Sequence, residues 1–130
     1  MLKRKELNCS FKCKLLKDAP GAPGQPEVLD SHVNFIRLAW KKPESDGGNP
    51  IVGYLVESRE EGSSEWTPCN SYPTKMTEYT ASNVVEGVSY EFRVRAVNEA
   101  GPGAPSKASA PRKAEPPISK INRYVFSFEN

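Results

Sequence analysis

Residues 84–98 read Val-Val-Glu-Gly-Val-Ser-Tyr-Glu-Phe-Arg-Val-Arg-Ala-Val-Asn, and they constrain the fold more than any other stretch. Tyr90, Phe92, Val94 and Ala96 alternate with Glu91, Arg93, Arg95 and Val97. Apolar residues at a period of two, with mostly charged residues between them, place one face of a strand in a core and the other in water. Upstream lie apolar Val84 and the turn Glu86-Gly87. An apolar residue, a turn and then Tyr90 have the spacing of a tyrosine corner, in which the ring is buried and the hydroxyl bonds back to nearby backbone. That device belongs to β-sandwiches, so this chain reads as a structural module before it reads as a catalyst.

The remaining apolar runs are short and punctuated. Val28 to Ser31 fits a short edge strand. Phe35 to Trp40 alternates with Ile36, Leu38 and Trp40 on one face, and Pro43 ends it because proline cannot continue a central ladder. Residues 44–50 form a turn-rich loop. Ile51 to Arg59 is a longer strand with Tyr54 and Val56 facing in, Glu65 to Cys69 a short edge segment, and Thr77 to Ala81 another strand with Tyr79 and Ala81 inward. After the Tyr90 strand, residues 98–105 are expected to be a loop and Ser106 to Ala110 a last short strand. Seven short strands with no helical window predict two packed antiparallel sheets. Residues 19–27, Ala-Pro-Gly-Ala-Pro-Gly-Gln-Pro-Glu, are expected to be an extended, unpaired linker, because proline fixes φ and removes donors. The predicted division is a basic tail over 1–18, one domain over 19–112 and a second tail over 113–130.

Charge follows this division. Residues 1–18 hold six basic and two acidic side chains, residues 19–110 eight and twelve, and residues 111–130 four and two. A nucleic-acid-binding domain would carry a basic stripe on its folded part, and here that part is net acidic. No apolar run approaches the 18 or so residues of a membrane-spanning helix. The first 17 residues show no apolar core of a signal peptide. Cys9, Cys13 and Cys69 are an odd set, two of them in a tail, and are read as free thiols. Asn8-Cys9-Ser10 is a glycosylation sequon that points the other way.

No constellation of residues supports catalysis. In Asp30-Ser31-His32, neighbours on a strand point to opposite faces and form no relay. Cys9 and Cys13 lack a second ligand pair for zinc. Glu44 and Asp46 lack the oxygen-rich spacing of a calcium loop. Gly101-Pro102-Gly103 precedes no helix that could hold a phosphate. The sequence therefore predicts no catalytic, cofactor-binding or metal-binding residues and no cofactor, with the protein-binding residues unknown. His32 is read as a surface residue and Trp40 and Tyr54 as core, while Trp66 is left open between a lid on the core and an exposed contact.

The ordered set Trp40, Pro43, Asp46, Gly47, Gly48, Ile51, Gly53, Tyr54, Val84, Gly87, Tyr90, Phe92, Arg93, Val94, Ala96, Asn98 and Gly101 resembles a fibronectin type III domain over roughly residues 19–112. Val84 stands where the family usually has leucine. The resemblance implies an all-β, seven-stranded immunoglobulin-like sandwich with two flanking tails and no disulfide between its sheets. Within the family, Asp46-Gly47-Gly48 before Ile51 to Tyr54, the Glu86 to Val94 run and Asn98 to Gly101 look like domains of giant sarcomeric proteins of the titin, twitchin and projectin kind. That likeness implies a non-enzymatic structural and protein-binding module in the cytoplasm, in the A-band or M-band of the sarcomere. Its partners would be neighbouring immunoglobulin-like and fibronectin type III domains and thick-filament (myosin) proteins, with no nucleic acid and no membrane. Residues 11–16 would be the remnant of an upstream domain. The alternative is a fragment of a cell-surface adhesion receptor or receptor phosphatase.

Overall fold

The computed structural model describes residues 18–117. Asn8, Cys9, Cys13, most of both predicted tails and Tyr124 lie outside these residues. The strands are β1 (Glu27–Ser31), β2 (Ile36–Ala39), β3 (Gly53–Glu60), β4 (Thr67–Pro68), β5 (Glu78–Ala81), β6 (Ser89–Asn98), β7 (Gly101–Pro105) and β8 (Arg112–Lys113). One sheet has the order β1-β2-β5, and the other β4-β3-β6-β7 with β8 also pairing β6. Every pairing is antiparallel.

Burial alternates along β6 without a break, and Tyr90, Phe92, Val94, Ala96 and Asn98 face in. The long partner β3 turns Tyr54, Val56 and Ser58 the same way. The other sheet contributes Ile36 and Leu38 from β2 and Ala81 from β5, all fully buried. Trp40, 6% exposed, follows β2 and meets the ring of Tyr54 edge-on, with centroids 5.5 Å apart. Edge-to-face packing suits the ring quadrupoles and adds about 0.5–1.5 kcal/mol beyond burial.

The tyrosine corner forms as expected. The Val85 N–H donates to the Tyr90 hydroxyl at 2.9 Å, and Val84 packs against the core. Gly87 makes the turn at φ 89°, a left-handed conformation that a Cβ penalises. Its N–H donates to the carbonyl of Ala114, whose own N–H donates to Val88. Ala114 is fully buried, so the chain beyond β8 clips the corner in place.

Two segments differ from expectation. Residues 101–105 are a strand rather than a loop, and residues 106–110 are not a strand. The reason lies in how the chain meets β6. Pro105 faces Arg95 and Arg112 faces Tyr90, so the returning chain spends seven steps where β6 spends five. Ser106 and Ser109 absorb the excess. The N–H groups of Ser106 and Ser109 donate to the carbonyls of Val94 and Phe92, and their hydroxyl oxygens accept from the N–H groups of the same two residues. Side-chain oxygens replace the missing ladder carbonyls, so no buried backbone donor of β6 is stranded there. The last strand of the sandwich is thereby split into β7 and β8, which raises the count from seven to eight.

The second difference is residues 19–27, which are extended but paired. Pro20, Pro23 and Pro26 are all buried, a period of three that matches a polyproline II helix. The N–H groups of Gly21 and Gly24 donate to the carbonyls of Ser45 and Lys41 at 2.9 and 3.0 Å.

Replacing Tyr90 by Phe keeps the ring and deletes the corner bond. The orphaned Val85 N–H should cost about 1–3 kcal/mol. Tyr72, 84% exposed, provides the chemically identical control, for which Tyr→Phe should stay within about ±0.5 kcal/mol. Equal urea midpoints for the two variants would remove the corner from the account.

Candidate functional site

The residues singled out for chemistry are not brought together. His32 sits at the β1–β2 turn, its Nε2 3.5 Å from the Asp30 carboxylate and its ring centroid 4.4 Å from that of Phe35. Cys69 is a free, half-buried thiol. Burial pushes its pKa up, and nearby Glu57 adds to that, against a hydrogen bond with Ser58 that pulls it down. A thiol held protonated is a poor nucleophile. Among the described residues, no three His, Cys, Asp or Glu side chains are gathered closely enough to hold a metal ion. A cleft of about 660 Å³ beside the loop after β2 is lined by Lys42, Glu44, Asp46 and Lys75 among others, a mixed set of charges without a nucleophile and base in contact.

The most organised polar surface is the outer face of the five-stranded sheet. Here Glu57 and Arg59 of β3 lie beside Glu91, Arg93 and Arg95 of β6. The register sets Glu57 opposite Arg93 and Arg59 opposite Glu91. Opposite charges directly across an antiparallel pair attract, whereas a slip of one residue would turn the charges of the slipped strand inward, away from their partners. The Arg59 Nε reaches Glu91 at 2.7 Å and the Arg93 Nε reaches Glu57 at 2.5 Å. Arg95 takes the other oxygen of Glu57 at 3.4 Å and donates to the carbonyl of Gly103 in β7.

Trp66 completes this surface. The guanidinium carbons of Arg59 and Arg93 lie 4.5 and 4.4 Å from its ring centroid. The tryptophan is therefore not a lid on the core. It arrives on the outer face just before β4, whose Thr67 pairs with Ser58. Both cations stack on its ring while carboxylates neutralise them, a geometry that suits the planar, weakly hydrated guanidinium. The result is a charged stripe in which Trp66 is held by two arginines that are themselves paired with carboxylates. Glu91, Arg93 and Arg95 were readable as water-facing from the alternation alone. Their pairing with Glu57 and Arg59, and the capture of Trp66, depend on cross-strand register that no local pattern carries.

Comparison with known proteins agrees with this structural character. A family model described as "Fibronectin type III domain" matches residues 21–112. The chain is 40% identical over 104 residues to "M-protein, striated muscle" of Gallus gallus, covering 80% of this chain and 7% of that protein. It is 40% identical over 95 residues to "Myomesin-2" of Homo sapiens, covering 73% of this chain and 6% of that protein. Among solved structures, domains A168–A170 of titin superpose with a TM-score of 0.72 at 34% identity, covering 75% of this chain and 33% of that one. The chain thus spans less than a tenth of the length of these two curated relatives.

Truncating Trp66 tests its position. Two partly exposed cation–π contacts are worth about 1–2 kcal/mol together, so Trp66→Ala should lower stability by that amount and leave a cooperative fold. A lid on the core would cost about 3–5 kcal/mol, and a loss of that size in urea denaturation would refute the outer-face placement.

Proposed function

Because the chain belongs to the fibronectin type III family, we propose that it is a non-enzymatic structural and protein-binding module of a large multidomain muscle protein. The observation that carries this reading is the 40% identity to a striated-muscle protein of which the chain matches only 7%, the relation of one module to a long array. The module runs from residue 19 through 112 and on to Ala114, whose buried side chain and two backbone bonds fasten it to the sandwich. Residues 11–16, within the basic tail, are read as the remnant of a preceding domain in the same array. The module's immediate partners are its neighbouring immunoglobulin-like and fibronectin type III domains. Its site is the A-band or M-band of the sarcomere, beside thick-filament proteins such as myosin.

The physics of the sandwich supports a scaffolding role. Ion pairs hold the outer stripe together, and it offers Trp66 with its arginines as a preformed contact. A fold of this type hosts many functions, so the muscle assignment rests on the relatives and not on the sandwich. The adhesion-receptor alternative has only the sequon Asn8-Cys9-Ser10 behind it. An antibody against residues 18–117 should stain striated muscle in stripes repeating with the sarcomere, within the A-band or at its centre. Staining of intact, unpermeabilised cells in place of stripes would overturn the reading and favour the receptor.

A further inference from the structure

The segment Asp18 to Gly24 has more polar and steric fastening than a linker needs. The Asp18 N–H donates to the Gly47 carbonyl at 3.2 Å, and the Asp18 carbonyl accepts from Asn98 Nδ2 at 2.6 Å. The same Asn98 nitrogen donates to the Asp46 carbonyl at 2.7 Å, while its Oδ1 accepts from the Ala100 N–H. Asn98 is only 3% exposed, so these bonds are made out of water, where an unmade partner is costly. Farther along, Gly21 and Gly24 donate to Ser45 and Lys41, and the Gln25 side chain donates to the Ala108 carbonyl at 2.8 Å. Two glycines mark the seat. A Cβ on Gly103 would overlap the Pro20 carbonyl oxygen, and one on Gly47 the Asp18 carbonyl oxygen. The segment therefore touches the loop that leaves β2 in one sheet, and Asn98 at the end of β6 and Gly103 in β7 of the other.

We propose that residues 18–24 are a locked mount that fixes the direction in which the preceding chain leaves the sandwich, so that an upstream neighbour is held at a set angle and not on a swivel. The mount rests on the array reading for its use but not for its existence. Pro20 and Pro23 pre-set the extended backbone, so little conformational entropy opposes docking. Buried Asn98 then closes the pole by joining Asp18 to the Asp46 loop. Polyproline stretches between domains act as semi-rigid spacers when free. Docked along both sheets, this one becomes part of the domain.

Amide hydrogen exchange on the 130-residue chain, read by NMR, tests the lock. In the parent, the N–H groups of Gly21 and Gly24 should be protected, and backbone order parameters from Asp18 onward should approach the 0.85 or so of rigid structure. Gly103→Ala places a methyl under the Pro20 carbonyl at a position without a positive φ. It should speed exchange at Gly21 and Gly24 at least tenfold while Phe92 and Val94 stay protected. Gly21→Ala meets only ordinary contacts near 3.7 Å and should leave Gly24 protected. Unchanged protection in Gly103→Ala would overturn the proposal. So would free exchange or low order parameters over residues 18–24 of the parent, a result that stands even if the variant fails to fold. A protected strap in a protein that localises away from the sarcomere would keep the lock and discard the array.

Discussion

Strand β6 pairs with β3, β7 and β8, and its ten residues hold the larger sheet together and face the core on one side. Its inward side supplies five of the buried residues, from Tyr90 at the corner to Asn98 at the opposite pole. Its outward side supplies Glu91, Arg93 and Arg95, which meet Glu57 and Arg59 across the ladder. Because a strand repeats every two residues, these are a single choice: the register that buries Phe92 and Val94 also creates the charged stripe and aims Asn98 at the strap. Burying these apolar side chains is what enforces the choice, at about 25 cal/mol per Å² removed from water.

The ends of the sandwich depend on local polar solutions. At one end the Tyr90 hydroxyl and Ala114 carbonyl take up the N–H groups of the corner turn. At the other, Asn98 serves Asp18, Asp46 and Ala100 together. Along the edge, Ser106 and Ser109 serve the backbone of β6 where prolines and extra residues break the ladder. Among the described residues, the indole N–H of Trp40 is the buried side-chain group without a hydrogen-bond partner. Its ring meets Tyr54 at 67°, a T-shaped contact that accounts for the packing of the ring, though not for the unpaired N–H.

The legible parts of the fold were those with period-two burial. β2, β3, β5 and β6, the corner at Tyr90 and the core position of Trp40 all follow from alternating apolar residues bounded by turns. Residues 101–110 differ from expectation because proline and glycine there signal lost donors, and lost donors usually mean a loop. In β7 that signal misleads, since Gly101 and Pro102 still pair with Asn98 and Val97 of β6. Residues 19–27 differ from expectation for the same reason: their prolines signal an unpaired linker, while the three-residue spacing of Pro20, Pro23 and Pro26 is the period of a polyproline segment docked by one face. Trp66 was undecidable locally, because its partners Arg59 and Arg93 come from two strands brought together only by register. The site was therefore less legible than the fold.

The claim that one register governs core, stripe and pole can be tested by inserting a single alanine between Val94 and Arg95. Such an insertion reverses the facing of every β6 residue on one side of it, so a fold governed by that register loses its core or its stripe. The same insertion after Gly62, in the exposed turn beyond β3, changes only loop length, which costs little. Urea denaturation should show no cooperative transition for the β6 insertion and a near-parental midpoint for the turn insertion. A β6 insertion that unfolds cooperatively at the parental midpoint would contradict the account.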